Sequence, residues 1–390
     1  MIILSKVQAN SLVMVFLLLV SPLVLAKDYV DVWPEGWSDI TPLFSTSIFA
    51  DRFFVTSDSS GTSFLSIDGI YFRELDLTYR LLQNDVLREE VVLRTGAEID
   101  SAYLALDEGV RHVVWLERSS EGNRIKYTSF ATPYRGHESV TVFESVNTLQ
   151  NLAGFQNGST IHVVWAERDE YFQIKYAQIE AGELTLVETV TNTPELSVRP
   201  SVLVDEKGVV HLAWMETNPT HITINYNTRQ AGQWRDPQKI GDGSLHDVEQ
   251  GGLIDMGVYG GELHLAWASV PHGSSQLSVF LSKINTQGAL STPTLLAEGS
   301  RARFLQGTYN PELVWQGSGH FGAKINHYTY GGELTNLTVG RRGAFRPEGF
   351  ATGDFRYVYW LQANADGGYE VYGINNEFPK PISPWRKMGL

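Results

Sequence analysis

The sequence lacks cysteine entirely and is poor in charge. With no cysteine among 390 residues, disulfide bonds, thiolate metal sites and cysteine nucleophiles are excluded. Charged residues make up only 19% of the chain, and 44 acidic residues against 30 basic ones leave a net charge of −14. Nucleic-acid binding depends on basic side chains that neutralise phosphates, so this balance argues against a nucleic-acid ligand.

The common catalytic motifs are also missing. The sequence contains no glycine-rich phosphate loop before a helix, no Gly-x-Ser-x-Gly elbow and no His-Glu-x-x-His pair. We therefore assign no catalytic residue, no metal site and no cofactor on the basis of motifs.

Aromatic residues and glycine, in contrast, are plentiful. The chain has 10 tryptophans and 36 glycines, and hydrophobic residues make up 43% of it. No segment shows a long apolar pattern with the 3.6-residue period of a helix, so this composition favours short strands joined by turns. We predict an all-β protein.

The N-terminal segment has the layout of an export signal. Residues 7–26 are uncharged, and their apolar run breaks at Pro22 and ends at Ala26. This pattern predicts a signal peptide over residues 1–26, with an uncleaved membrane anchor as the alternative. In both cases residues 27–390 would lie outside the cytoplasm, and any contact with a membrane would be made by the N-terminal segment alone.

Six strand-like segments end in tryptophan at nearly regular intervals. The successive spacings are 50, 49, 53, 48 and 45 residues. A large ring that recurs in one register is expected to fill the core between repeated units. These tryptophans are Trp115, Trp165, Trp214, Trp267, Trp315 and Trp360.

Residues 200–240 show what one repeat contains. Strand-like segments over 200–205, 209–216, 222–228 and 233–240 are separated by short turns. Four antiparallel strands that recur every 40–50 residues are typical of a β-propeller, in which each four-stranded sheet is one blade. We therefore predict a single propeller domain.

Chain length favours seven blades over six. Residues 27–390 number 364, and the mean spacing of the tryptophans is 49. The proline-punctuated tail over 381–390 is expected to complete the last blade, or else to connect to a partner or a membrane surface. The strands predicted for the first blade are Thr41–Ile48, Arg52–Ser57, Ile70–Thr78 and Glu89–Leu93.

The best-formed repeat resembles the bacterial neuraminidase repeat of sialidase-like propellers. The resemblance is carried by Asp-x-x-Gly-Val-Val-His-Leu-Ala-Trp over 205–214, Ile-Asn-Tyr over 224–226 and Gln-Trp-Arg-Asp-Pro-Gln-Lys-Ile over 233–240. It implies the propeller fold. The Asp box of sialidases, Ser-x-Asp-x-Gly-x-x-Trp, has no complete copy, and the nearest fragment is Ser66-Ile-Asp-Gly69.

Four of the tryptophan strands carry a histidine three residues before the tryptophan. On a strand this odd offset places the two side chains on opposite faces, and each histidine belongs to a different blade. Histidines separated in this way cannot share a metal ion, so we interpret them as structural. They are His112, His162, His211 and His264.

Carboxylates follow the tryptophan on three consecutive blades. Glu117, Glu167 and Glu216 each stand two residues after it, at the end of the second strand. In a propeller this end shares one face with the beginning of the first strand, so the three side chains could form a surface for a cation or a polar ligand. The alternative is a set of local ion pairs with a structural role.

Arginines mark the beginning of the first strand on three blades. Arg199, Arg301, Arg303 and Arg346 are expected near the mouth of the central channel. Guanidinium groups that converge there would bind a carboxylate through two parallel hydrogen bonds, whereas structural salt bridges are the alternative.

The sialidase resemblance implies an arginine triad of this kind. It also implies a tyrosine nucleophile with a glutamate base, for which the candidates are Tyr309 or Tyr357 with Glu117 or Glu216. No spacing in the sequence selects among them.

Two functions of different classes fit these observations. The first is a non-catalytic propeller, expected to be a monomer, that binds a protein or a glycan through one face at the cell surface or in the periplasm. The alternative is a sialidase-like hydrolase or a lyase that acts on acidic extracellular polysaccharide.

Overall fold

The computed structural model describes residues 34, 36–46, 52–71, 74–136, 138–244, 254–286, 288–318, 323–332, 334–338, 343–364 and 368–376. The predicted signal peptide and the tail over 381–390 lie outside these residues. Every regular element within them is a β-strand, as the composition predicts. None of the described residues belongs to a helix that is long and apolar enough to cross a membrane.

The strands pair in antiparallel groups of four that follow the chain, which we call blades 1 to 7. Strand β1 spans Thr41–Thr46. Blade 1 contains β2 (Arg52–Asp58), β3 (Gly61–Tyr71), β4 (Glu74–Gln83) and the first half of β5 (Val86–Asp107). Blade 2 contains the second half of β5, β6 (Val110–Ser119), β7 (Gly122–Ala131) and β8 (Val140–Ser145).

Blade 3 contains β9 (Thr148–Asn157), β10 (Thr160–Arg168), β11 (Phe172–Glu180) and β12 (Glu183–Thr189). Blade 4 contains β13 (Leu196–Val204), β14 (Val210–Thr217) and β15 (His221–Gln230), with its outer strand split into β16 (Gln233–Trp234) and β17 (Gln238–Ser244). Blade 5 contains β18 (Ile254–Tyr259), β19 (Glu262–Ser269), β20 (Ser278–Ile284) and β21 (Thr294–Glu298).

Blade 6 contains β22 (Ser300–Phe304), β23 (Glu312–Gly317), β24 (Lys324–Thr329) and β25 (Leu334–Asn336). Blade 7 contains β26 (Ala344–Thr352), β27 (Phe355–Ala363), β28 (Tyr369–Asn375) and, as its outer strand, β1.

The long strand β5 belongs to two blades. It pairs with β4 as far as Ala97 and with β6 from Glu98 onward, so one continuous sheet of seven strands divides into two groups of four. Gly96 lies at this division with a φ of 64°, a backbone conformation that glycine adopts without steric penalty. The strand therefore passes from one blade to the next beside a residue that adopts this backbone conformation easily.

The first strands of the blades form the inner ring of the molecule. Contacts run from β2 to β5, β9, β13, β18, β22 and β26, and from β26 back to β2. This closed order is that of a β-propeller, so the predicted fold class is confirmed.

Blade 1 differs from the sequence prediction in three ways, of which the first is that the predicted strand Ile70–Thr78 covers the end of β3 and the beginning of β4. Thr41–Thr46 was expected in it, but this segment pairs with β28 of blade 7, where Thr46 lies opposite Tyr369. Strand β3 was not expected, and it is the second strand of the blade. The repeat marker is missing there: Leu65 pairs with Tyr79 as Ala213 pairs with Tyr226, so Ser66 occupies the position that Trp214 has in blade 4.

The six repeated tryptophans lie in the core, each at most 2% exposed. Trp267 of blade 5 shows how they pack against the preceding blade. A Cβ atom on Gly241 of β17 would lie 2.6 Å from its Cζ2, so glycine is required where the ring meets the backbone. The tryptophans thus fill the space between adjacent blades.

The recurring histidines bind tyrosines of the neighbouring strand. Their Nδ1 atoms lie 2.7–2.8 Å from tyrosine Oη atoms in the pairs His112–Tyr127, His162–Tyr176 and His211–Tyr226. Burial lowers the pKa of His162 to about 4, so the neutral ring is the form that is packed. The fourth histidine, His264, packs edge-on against the rings of Tyr259 and Tyr330.

Blade 6 replaces this histidine–tyrosine pair with charged groups. Glu312 stands three residues before Trp315 and is 2.9 Å from His327 Nε2 and 3.1 Å from Arg356 Nε of blade 7. Burial opposes its ionisation, but the hydrogen bonds from His327 and Arg356 outweigh burial and lower the pKa of Glu312 to about 2. An ion pair therefore joins blades 6 and 7 at the position where blades 2, 3 and 4 have a histidine–tyrosine pair.

We expect Trp214→Ala to lower the free energy of unfolding by about 3–5 kcal/mol, because it removes a buried ring from between two blades. Urea unfolding followed by tryptophan fluorescence and circular dichroism measures the change. The exposed Leu334 provides the control, and Leu334→Ala should change stability by less than about 0.5 kcal/mol. Equal effects of the two substitutions would contradict the packing role.

Candidate functional site

A cavity of about 510 Å³ lies on the axis of the propeller. All seven inner strands line it, so each blade contributes side chains to one site. One lining residue from each blade, in order from blade 1 to blade 7, is Phe54, Tyr103, Asn151, Arg199, Asp255, Arg301 and Arg346.

Each inner strand places one residue at the same position of the strand register, and together these seven residues form one layer of the cavity lining. In blades 2 to 7 the layer residue pairs with the residue just before the repeated tryptophan, and in blade 1 it pairs with Leu65, which precedes Ser66. All seven are half-buried and line the cavity. They are Phe54, Tyr103, Ala153, Ser201, Asp255, Arg303 and Glu348.

The layer has two unlike halves. Blades 1 to 3 contribute an aromatic and aliphatic wall of Phe54, Tyr103 and Ala153, whereas blades 5 to 7 contribute the charged residues Asp255, Arg303 and Glu348. A ligand in the channel therefore meets apolar surface on one side and fixed charge on the other.

Two residues before this layer, four inner strands carry a residue with left-handed backbone. The φ angles are 57° for Asn151, 53° for Arg199, 56° for Arg301 and 55° for Arg346. Each lies at a β-bulge, where the register of its strand shifts. Such conformations are unfavourable for residues other than glycine, and they cluster at functional sites.

Side chains of the preceding blade hold these bulges in place. Asp100 Oδ2 accepts the backbone N–H of Asn151 at 2.7 Å, and Asn151 Oδ1 accepts that of Arg199 at 3.3 Å. In the same way Gln316 Oε1 accepts the backbone N–H of Arg346 at 3.3 Å. The neighbouring blades therefore stabilise the bulge backbone at two of the three arginines, Arg199 and Arg346.

Arg303 lies between two carboxylates. Its Nε is 3.1 Å from Glu348 Oε1, and its Nη1 is 3.7 Å from Asp255 Oδ1. Asp255 Oδ2 also accepts the backbone N–H of Phe304 at 2.7 Å. Burial raises the pKa of Asp255, and it raises the pKa of Glu348 to about 7 despite the opposing effect of Arg303.

The four predicted arginines therefore line one cavity, but their surroundings differ. Arg199, Arg301 and Arg346 lie at the bulges, whereas Arg303 is held by Asp255 and Glu348 in the next layer. Arg303 matches the structural alternative that the sequence left open.

The three predicted glutamates lie outside the residues that line the cavity. Glu117 Oε2 accepts a hydrogen bond from Arg94 Nε at 3.0 Å, and Glu167 Oε1 accepts one from Ser145 Oγ at 2.7 Å. Glu216 Oε1 accepts one from Thr193 Oγ1 at 2.7 Å. Each carboxylate thus binds the segment that leads into the first strand of its own blade, which is a local structural contact.

The nominated tyrosines also lie away from the cavity lining. Tyr309 is 78% exposed in the connection between β22 and β23, and the ring of Tyr357 stacks on Phe350 with 5.0 Å between centroids. The tyrosine that does line the cavity is Tyr103, whose ring lies directly against Gly154 of blade 3.

Sequence reasoning missed Phe54, Asp255 and Glu348. A partial signal was present, because Glu348 follows Arg346 by two residues, as Arg303 follows Arg301. Residues two apart on a strand share a face, so this spacing indicates that Glu348 and Arg303 face the same channel as the arginines before them. Asp255 has no arginine two residues before it, and Phe54 is not charged.

Comparison with family models and with curated proteins finds no match for this chain. Among solved structures, the polysaccharide lyase Uly1 is similar over 88% of this chain and 94% of its own, with 11% identity and a TM-score of 0.53. A prolyl endopeptidase is similar over 83% of this chain and 46% of its own, with 13% identity and a TM-score of 0.53.

Sialidases are also among the similar structures. The Trypanosoma rangeli sialidase in complex with sialic acid covers 91% of this chain and 60% of its own, with 8% identity and a TM-score of 0.45. At 11% and 13% identity, the likeness to the polysaccharide lyase and the prolyl endopeptidase shows the fold alone.

We expect Glu216→Ala to lower the free energy of unfolding by about 1–3 kcal/mol, because it leaves Thr193 and Asn225 without their acceptor. Thermal and urea unfolding measure the change. Glu206→Ala removes the same charge from an exposed turn of the same blade and should have little effect. A Glu216 variant as stable as the Glu206 variant would show that the carboxylate has no structural role.

Proposed function

We propose that this propeller is a recognition protein that binds a carboxylate-bearing ligand, of the kind found in acidic sugar chains, in its central channel. The observation that carries the proposal is the repeated bulge that sets Arg199, Arg301 and Arg346 in one layer of one cavity. Planar guanidinium groups match a carboxylate with two parallel hydrogen bonds, which gives them both affinity and orientation.

The local balance of charge supports an anionic ligand. The protein as a whole carries a net charge of −14, yet its cavity is lined by four arginines against the three carboxylates Asp107, Asp255 and Glu348. A positively charged cavity in an acidic protein favours binding of an anion at that one site, because the overall negative charge repels anions from the rest of the surface.

The apolar wall supports a ligand with a ring. Phe54 and Tyr103 present half-buried aromatic side chains opposite the charged half of the layer. A uronic acid residue has the matching shape, since it combines one carboxylate with a sugar ring whose C–H groups pack on aromatic surfaces. The fold-level likeness to a polysaccharide lyase agrees with this ligand class.

The predicted signal segment supports a location outside the cytoplasm, where such polysaccharides occur. In this proposal the protein is secreted, periplasmic or held at the membrane by its N-terminal segment, and it acts as a monomer whose closed ring leaves few strand edges for assembly.

An enzymatic function on the same ligand is the second candidate. It is favoured by one observation, the pKa of Glu348 near 7, because a carboxyl group of that kind can donate a proton at neutral pH. Tyr309 and Tyr357, which the sialidase resemblance nominated, do not line the cavity. Hydrolysis would release reducing ends from polygalacturonate, and a lyase would release unsaturated products that absorb in the ultraviolet.

We expect Arg301→Gln and Arg346→Gln each to weaken the binding of trigalacturonate at least about tenfold, because each removes a charged pair of donors from the carboxylate. Isothermal titration calorimetry measures the affinity. Arg235→Gln makes the same change at an exposed position outside the cavity and should leave the affinity unchanged. Equal affinities of the three variants, or no binding by the wild-type protein, would contradict the proposal.

A further inference from the structure

The carboxylates beside Arg303 lie where the charge of a bound anion would affect their protonation. Two carboxylates share one guanidinium, since Glu348 lies 3.1 Å and Asp255 3.7 Å from Arg303. The cluster therefore has one negative charge in excess when both carboxylates are ionised. It is half-buried, so this excess is screened less than it would be at the surface.

The two carboxylates are not equivalent. Asp255 Oδ2 accepts the backbone N–H of Phe304, a contact that stabilises its ionised form. Glu348 has Arg303 as its ion-pair partner and feels the negative charge of Asp255, which disfavours its own ionisation. As the pH falls, Glu348 is thus the carboxylate of the cluster that we expect to bind a proton first.

One of the bulge arginines acts on the charge of Glu348. Arg301 precedes Arg303 by two residues on β22, and its positive charge favours the ionised form of Glu348. An anion bound to the Arg301 guanidinium would cancel part of the positive field that keeps Glu348 ionised.

We propose that the Asp255–Arg303–Glu348 cluster takes up one proton, on Glu348, when an anion binds in the channel, so that anion binding strengthens as the solution becomes more acidic. The inference deepens the proposed carboxylate site and rests on it. No covalent step is involved, since the proton comes from solvent and returns to it when the anion leaves.

Apart from Asp255, the described groups packed around Glu348 do not supply an alternative proton site. The charges that shift its pKa all come from β18 and β22, namely Asp255, Arg301 and Arg303. On β27 its register partner is Tyr359, and on β2 the layer residue is Phe54. Strands β23 and β24 also contact β26, but there Glu312 and His327 bind each other and Arg356.

The rest of the described cavity lining contains no histidine. Burial raises the pKa of Tyr103 far above neutrality, so that residue does not titrate in the same range. Burial raises the pKa of Glu348 to about 7, which lies within this range.

The direction of the pH effect follows from linkage. Below about pH 7 Glu348 already carries its proton in the unliganded protein, so binding needs no uptake and is tightest. Above that pH the proton must be taken up during binding, and affinity falls by up to roughly tenfold per pH unit until the pKa of the bound state is passed.

The test measures proton uptake directly in the wild-type protein. Trigalacturonate is titrated calorimetrically at pH 7.5 in two buffers with different ionisation enthalpies, and the difference in heat gives the number of protons taken up. We expect between about half a proton and one proton per ligand, and a dissociation constant at pH 8.5 at least about threefold weaker than at pH 6.5. The ligand carboxylates stay ionised throughout this range.

Two variants test whether Glu348 is the residue that takes up the proton. In Glu348→Gln the amide oxygen can still accept from Arg303, and we expect binding that no longer changes between pH 6.5 and 8.5 and that releases or takes up no proton. Glu262→Gln removes the same charge from an ion pair with Lys283 that lies outside the cavity lining, and it should keep the pH dependence of the wild type.

The outcomes separate this inference from the proposed function. Binding of trigalacturonate without proton uptake would overturn the inference and leave the carboxylate site in place. Proton uptake that persists in Glu348→Gln would also overturn it, since another group would then carry the proton. An absence of binding at every pH would overturn the proposed function and the inference with it.

Discussion

The pairing of β1 with β28 is the contact on which the rest of this structure depends. It joins the N-terminal part of the described chain to the last blade, which would otherwise have only three strands. Each blade covers the tryptophan face of a neighbour, so a ring that fails to close exposes apolar surface at the break. Closure also brings the seven inner strands around one axis, and this creates the cavity.

The bulges on the inner strands are a second constraint that is repeated around the ring. A residue other than glycine in the left-handed region costs about 1 kcal/mol or more, and Asn151, Arg199, Arg301 and Arg346 all adopt it. Side-chain acceptors of the preceding blade, such as Asp100 and Asn151, help to offset this cost. Three of these four residues are arginines that line one cavity, so part of the backbone strain lies where a ligand would be held.

The asymmetry of the channel arises from the lack of exact repetition between blades. The strand register is the same in all seven, yet the layer residue changes from Phe54 and Tyr103 on one side to Arg303 and Glu348 on the other. Repeated backbone geometry supplies equivalent positions, and side-chain chemistry makes them different. Arg303 is held by its two carboxylates, while the bulge arginines line the adjacent layer of the cavity.

Much of the fold could be predicted from the sequence because its signals are local. The tryptophan period, the alternation within strands and the turn residues indicate four-stranded units, and Arg199, Arg301 and Arg346 stand near the beginning of inner strands wherever those strands go. Blade 1 was predicted, but its strands were wrongly assigned because Ser66 stands where each of the other six blades has its tryptophan.

The remaining features were decided by contacts between residues far apart in the chain. Nothing in the segment Thr41–Thr46 itself distinguishes a strand of blade 1 from the outer strand of blade 7, since the choice depends on which strand has an open edge when the ring closes. Likewise Asp255 and Glu348 lie 93 residues apart and meet at Arg303 only because blades 5, 6 and 7 are adjacent around the axis. The sequence by itself thus determined the repeating unit and its core. The tertiary structure decided which charges share one low-dielectric cavity, because that depends on ring closure and not on local pattern.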